Sequence, residues 1–317
     1  MLRLVKIAVT GGAGFIGGHL CKRLISEMHD VTIIDNLDPY YSIKQKQLHM
    51  KDLERYGRFT FIQEDLRDEE KTAVLFQTHQ FDSVIHLAAL PGVTYSVEQP
   101  IPYVDYDIKA TINVLKASGE SGVNHVLFAS SSSVYGNKEG AFSEEMRVGE
   151  VESPYAAAKA GAESFCHAFQ RLYGFQVTIL RLFTVYGPWG RPDMAIPKFT
   201  HRLLSGQPIE VYSLNSARDY TYVEDCVDGI HAAIHAKHAY ETFNIGSGNP
   251  ITMNELLRIF RSHFPKMNVI EKPWRTGDVN QTWSDITKAR TILNYAPTMS
   301  IQEGIDRTVQ WAKTWDI

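Results

Sequence analysis

The feature that most constrains this chain lies near its start. The run "KIAVTGGAGFIG" spaces Gly11, Gly14 and Gly17 three residues apart, directly after an apolar strand and at the opening of a helical stretch that reaches about Glu27. Glycines at such a junction let the backbone turn tightly. The free amides and positive dipole end of the following helix suit a pyrophosphate. A glycine run alone is a weak signal. Here a second strand, "VTIID" (31–35), ends in Asp35, 18 residues after Gly17. A carboxylate there accepts from an adenosine ribose and repels a 2′-phosphate. Strand, loop, helix and acid together predict a dinucleotide site that takes NAD rather than NADP.

The rest of the first half repeats that rhythm. "LVKIAVT" (4–10), "FTFIQED" (59–65), "SVIHLAA" (83–89), "HVLFASS" (125–131) and "VTILRLF" (177–183) read as buried strands, with helical patterns near 42–56, 68–79, 101–121 and 154–173. Such alternation predicts an α/β protein with a Rossmann-type, doubly wound parallel sheet. The prolines and glycines of 184–194 read as a loop. Smaller units follow: helices near 195–205, 223–236, 253–263 and 300–315, and strands at 209–213 and 241–247. The expected division is a cofactor domain over 1–183, joined by about 218–245, and a smaller interleaved α/β substrate lobe over 184–317. The net charge of −4 is spread along the 317 residues, which leaves no basic tract for nucleic acid. No apolar run is long enough for a membrane span, and no leader precedes the glycines. Cys21, Cys166 and Cys226, and histidines such as His86, His167 and His201, show no metal-ligand spacing. The chain reads as cytoplasmic.

The stretch "SPYAAAKAGAESF" sets Tyr155 and Lys159 four residues apart, on one face of a helix. A phenol is a poor base at neutral pH, and a neighbouring ammonium stabilises its phenolate. A third group is available in "FASSSSVYG", where Ser130 to Ser133 follow a strand C-terminus, the edge at which ligands sit in such sheets. Asp65, at the end of the third strand, stands either to meet an adenine or to cap the next helix.

The motifs "TGGAGFIG", "DNL", "HLAA", "SSSSVYG", "SPYAAAK", "RDYTYVEDC" and "FNIGSG" occur in an order that resembles the extended short-chain dehydrogenase/reductase superfamily over nearly the whole chain. "FTVYGPWGRPDMA" (183–195), "NLDPYYSIKQKQL" (36–48) and "GVTYS" (92–96) resemble the UDP-glucuronate 4-epimerase branch in particular. The resemblance implies Tyr155 as general base and acid, Lys159 as its activator and nicotinamide-ribose ligand, and Ser131 as the donor to the reacting hydroxyl. It implies that Phe15, Ile16, Asn36, Leu66, Leu87, Ala88 and Ala89 join Gly11, Gly14, Gly17, Asp35 and Asp65 around NAD. On the substrate side it sets Arg218 and Arg275 at a UDP pyrophosphate and Asp278 at the uridine ribose. Ser131, Ser132, Ser133 and Thr184 stand near the sugar, and Arg191 serves its carboxylate or the pyrophosphate. Dehydratases carry Asp-Glu before "VYG", and uronate decarboxylases a Glu. Here Ser132 and Ser133 hold those places, and hydroxyls are weak proton carriers. The expectation is therefore C4 epimerisation of UDP-glucuronate, with a neutral UDP-sugar (UDP-glucose or UDP-N-acetylglucosamine) as the alternative, in a homodimer built through a four-helix bundle. Two positions depart from the family: Thr94 stands where an Arg is usual, and Asp107 where an Asn is usual.

Overall fold

The computed structural model describes residues 5–314. Seven strands form one parallel sheet: β1 (Lys6–Thr10), β2 (Asp30–Ile34), β3 (Thr60–Ile62), β4 (Ser83–His86), β5 (His125–Ser131), β6 (Gln176–Leu182) and, later in the chain, Tyr240–Ile245. The order is Tyr240–Ile245, β6, β5, β4, β1, β2, β3. Chain direction along the sheet reverses between β1 and β4, so a crevice opens at their C-terminal ends. Side chains alternate across the sheet. Ile7, Val9, Leu127 and Ala129 enter one core, and Ala8, Val126 and Phe128 enter the other. The helices Phe15–Ser26 and Val223–Ile234 lie together, and Glu69–His79, Ala110–Ser121 and Pro154–Tyr173 form a second packed group.

The first core continues without a break into the C-terminal lobe, through Tyr186, Phe199, Ile209, Leu256, Phe260 and Ile305. Three small sheets lie outside the main one. They join β7 (Thr184–Tyr186) to β10 (Tyr220–Tyr222), β8 (Ile209–Val211) to β13 (Val269–Glu271), and β9 (Ala217–Arg218) to β12 (Ile251–Thr252). The main-sheet strand Tyr240–Ile245 is then β11. The stretch 184–194 is therefore not all loop, because its first three residues pair with β10 in parallel. The single helix expected over 101–121 is interrupted. A π-turn over Val104–Lys109 separates Ile101–Tyr103 from Ala110–Ser121. Two short helices, Val93–Glu98 and Thr287–Leu293, were not expected. Leu4 of the first expected strand and Trp315 of the last expected helix lie outside the described residues.

Candidate active site

One cleft of about 720 Å³ runs along the crevice, at the upper end of the size range of small-molecule sites. Every residue singled out from the sequence as a site residue lines it.

The cofactor side is built from backbone. Gly11 takes φ +69°, and a Cβ there would lie 2.7 Å from the Ala88 amide nitrogen. At Gly17 a Cβ would come within 2.3 Å of the Gly11 carbonyl oxygen. The helix Phe15–Ser26 opens at Gly14 with no side-chain cap, so its first turn keeps amides for a ligand. The Tyr41 hydroxyl meets one of them, at Phe15. β2 delivers Asp35, which is 8% exposed and accepts from Ala13 N (3.2 Å) and Leu37 N (2.8 Å). Burial raises its pKa, against the pull of Lys46 and those two amides. Each Asp35 oxygen keeps a lone pair for a ribose hydroxyl. An uncapped helix N-terminus, a floor that admits no Cβ and an acid at the β2 end fit a dinucleotide without a 2′-phosphate. Phe15, Ile16, Asn36, Leu66 and Leu87 to Ala89 complete the wall.

Asp65 does not cap a helix. Asp68 caps Glu69–His79, accepting from Lys71 N at 3.1 Å. Asp65 instead takes a bidentate grip from Arg67 (2.9 and 2.6 Å), which holds its carboxyl down at about 2. The Arg67 guanidinium lies 3.9 Å from the Tyr106 ring centroid, and both residues line the cleft.

The helix Pro154–Tyr173 starts cleanly because Ser153 accepts from Ala156 N (3.2 Å) and Pro154 sits at the first position. Its early alanines let it pack closely on β5. Lys159, 4% exposed, donates to the Ala129 carbonyl at 3.0 Å. Tyr155, one turn earlier, is half-buried and meets the Tyr103 ring edge-on, with centroids 6.0 Å apart. The serine run divides by role. Ser130 turns into the core and donates to Glu163 (2.6 Å), which also forms a buried pair with Arg181 (2.8 Å). Ser131 accepts from Ser133 through both its amide (3.2 Å) and its hydroxyl (2.8 Å), so its own proton is left for a ligand in the cleft.

The opposite side of the cleft is held largely by side chains. The stretches 36–48 and 183–195 pack on one another: Gln45 donates to the Trp189 carbonyl (3.0 Å), and His49 stacks on the Trp189 ring (4.6 Å, 9°). Arg191 grips Asp193 bidentately (3.0 and 2.8 Å), and the Tyr40 hydroxyl donates to the same carboxylate (3.3 Å). Arg275 stacks 4.1 Å from the Tyr212 ring centroid and pairs with Asp278 (3.1 Å). The arginine and the acid expected to serve different parts of one ligand thus meet each other. Arg218, on β9, donates to the Ala217 and Asn280 carbonyls (2.9 and 3.3 Å). The next residue, Asp219, is fully buried and accepts from Ser247 N (2.7 Å), Gly248 N (3.0 Å) and Ser284 N (3.0 Å), which fixes the base of this strand. Thr94 is exposed at the cleft rim.

Sequence reasoning did not single out Tyr40, Arg67, Tyr106, Asp193 or Asp219. A usable signal existed for Asp193, two residues from Arg191, and for Asp219, next to Arg218. None existed for Tyr106 and Arg67, which meet only through the fold. Among the described residues no cluster of side chains could hold a metal, and no helix is long and apolar enough to cross a membrane.

The profile of the NAD dependent epimerase/dehydratase family matches residues 7–246. The chain is 39% identical to a UDP-glucuronate 4-epimerase of Thermodesulfobacterium geofontis, over 96% of this chain and 95% of that one. It superposes with TM-score 0.92 and 35% identity on the UDP-glucuronic acid 4-epimerase of Bacillus cereus, solved with UDP-glucuronic acid and NAD, covering 97% of this chain and 99% of that one. It also superposes with TM-score 0.88 and 33% identity on a UDP-glucose 4-epimerase of Thermotoga maritima, solved with UDP-glucose, covering 97% and 98%. The chain belongs to the NAD-dependent epimerase/dehydratase family, and its cofactor is NAD.

Proposed function

We propose that the chain is a nucleotide-sugar 4-epimerase that interconverts UDP-glucuronate and UDP-galacturonate. The observation that carries this reading is the convergence of Tyr155, Lys159 and Ser131 in the same cleft as the glycine cradle and three arginines. NAD, when bound, would supply the hydride acceptor and donor for C4, so the reaction has no net redox change. Tyr155 removes the O4 proton and later gives it back. Ser131 donates to the same oxygen and holds it in line. Lys159 has three donors and spends one on Ala129, leaving two for the phenolate and the cofactor ribose.

The 4-keto uronate is a β-keto acid, which loses CO₂ when its carboxylate aligns with the carbonyl π system. Ser132 and Thr184 supply neutral donors that fix that carboxylate out of alignment, Ser133 joins them by releasing Ser131, and Ser131 keeps its proton for O4. Arg191 spends Nε and one terminal nitrogen on Asp193, which leaves its other terminal nitrogen for the carboxylate or the pyrophosphate. Arg218 and Arg275 grip the pyrophosphate as charged forks, and Asp278 meets the uridine ribose. Gly11, Gly14, Phe15, Ile16, Gly17, Asp35, Asn36, Asp65, Leu66 and Leu87 to Ala89 hold the dinucleotide. Residues 1–183 with about 218–245 then serve the cofactor, and the remainder of 184–317 serves the sugar nucleotide. Exposed Val97, Ile101 and Val104, with Phe165 and Leu172 on Pro154–Tyr173, support a homodimer through these helices. Buried thiols at all three cysteines suit a reducing cytoplasm.

A neutral UDP-sugar is the second reading, favoured by the uncharged Thr94 at the rim. Incubation with UDP-glucuronate and, separately, UDP-glucose, with NAD far below substrate, decides between them by NMR of H4. Inversion of the uronate beyond the NAD supplied is expected. Inversion of the neutral sugar alone would replace the substrate, and CO₂ as the main product would replace the reaction.

A further inference from the structure

Asp107 lies in the π-turn Val104–Lys109 and is fully buried. Its Oδ1 accepts from Leu90 N at 2.8 Å, while Oδ2 is buried with no hydrogen-bond partner. A buried carboxylate oxygen without a donor is costly, so it carries a proton or answers to a nearby cation. The groups that bear on it can be named element by element. Pro154–Tyr173, which packs on the π-turn, brings Lys159, the cation whose attraction bears on Asp107, and Tyr155, whose ring meets that of Tyr103. β4 brings His86 through Thr111, whose hydroxyl donates to the Asp107 carbonyl (2.6 Å) and lies 3.1 Å from His86 Nε2. Burial, then Lys159, pushes His86 down to about 3, so it is neutral. From the segment before the turn, Tyr103 donates to the Pro91 and Gly92 carbonyls (2.9 and 2.7 Å). Asp105 and Lys109, on the turn itself, are exposed. Among the described residues Lys159 is therefore the buried cation that answers Asp107. Burial pushes Asp107 up to about 6, against the pull of Lys159 and the Leu90 amide.

We propose that Asp107 is a charge counterweight to Lys159. When ionised it cancels part of the ammonium's field in the cleft, and when protonated it releases that field, so it sets where on the pH scale turnover rises. The proposal rests on the reading of Tyr155 and Lys159 as the proton-handling pair. Asp107 does not line the cleft; it acts through Lys159 and is a positioning residue. Its sign is definite. Above about pH 6 the carboxylate opposes the ammonium. In Asp107→Asn, an isosteric neutral group, the field is undiminished at every pH.

The test is kcat against pH for the wild type and Asp107→Asn, saturated with substrate and NAD. The acid limb of the variant is expected about one pH unit lower, the scale on which a nearby full charge moves a titration. Limbs that superimpose after scaling would overturn the proposal, because a merely structural loss changes height and not position. A second measurement needs neither the variant nor activity. With ¹³C-labelled aspartate carboxyls, one resonance of the wild type is expected to titrate near pH 6. If no aspartate titrates above about pH 5, the proposal falls even where the variant does not fold. A wild type without epimerase activity would remove the functional reading and leave that titration to decide this one.

Discussion

On the cofactor side of the cleft backbone answers Asp35 and the glycine loop, while the Arg67 side chain answers Asp65. Asp35 is held by two amides, and the glycine loop closes on carbonyl and amide atoms with no space for a Cβ. On the substrate side the charges answer one another: Arg191 holds Asp193, and Arg275 holds Asp278. The first arrangement is preorganised. It tolerates no added atom at Gly11 or Gly17. On the proposed reading an anionic ligand would share these arginines with the acids already paired to them, so its affinity would be a difference between two sets of ion pairs. On that reading substrate choice belongs to the second side and cofactor retention to the first. Tyr155 and Lys159 stand where the two meet.

That contrast can be broken by experiment. The largest effect is expected from Tyr155→Phe, which keeps the ring contact with Tyr103 and deletes the proton carrier. Turnover should fall about 10³-fold or more while bound NAD, measured by absorbance after denaturation, is unchanged. Loss of NAD in that variant would mean that the two sides are not separable. Gly17→Ala is next. Its Cβ would meet the Gly11 carbonyl at 2.3 Å, so NAD retention should be lost and stability should fall by about 1–3 kcal/mol in thermal melts. A variant that melts normally and keeps NAD would show a cradle softer than described.

Arg191→Ala should leave NAD content intact and lower kcat/KM about 10- to 100-fold, the range for hydrogen bonds to charged groups. Arg275→Gln, on the more open pair, should raise KM only several-fold, with a smaller effect at high salt. A salt-independent loss would place Arg275 deeper in recognition than its exposure indicates. The smallest effect concerns Asp65. Its carboxyl is held below the ordinary value by Arg67, so the pair's stabilisation is complete above the unfolded carboxyl's pKa and is lost as pH falls through about 2. The difference in Tm between wild type and Asp65→Asn should therefore shrink on acidification from neutral pH.

The parts of this fold that were legible share one property: they are dictated locally. Continuous apolar runs announced the parallel strands, and the glycine spacing with Asp35 announced the cradle. The i, i+4 pair of Tyr155 and Lys159 needed only helix geometry. What escaped depends on contacts distant in sequence. The π-turn at Val104–Lys109 coincides with the grip of Asp107 on Leu90, 17 residues away, which no periodicity in 101–121 encodes. β7 exists because β10 pairs with it, across a gap that spans the whole 187–219 segment. Among the four serines, only the fold could send Ser130 to Glu163 and leave Ser131 in the cleft. The pairing of Arg275 with Asp278 was available at i, i+3 spacing, yet a ligand-based reading of both residues hid it.

In the proposed mechanism one phenol, beside one ammonium and one dinucleotide, serves both the oxidation and the reduction of the same sugar carbon. UDP-glucuronate deuterated at C4 tests it most directly, with the product followed by ²H and ¹H NMR. UDP-galacturonate is expected to form with the deuteron still on C4 and none released to water. Washout of the label into solvent, or its loss together with CO₂, would contradict it.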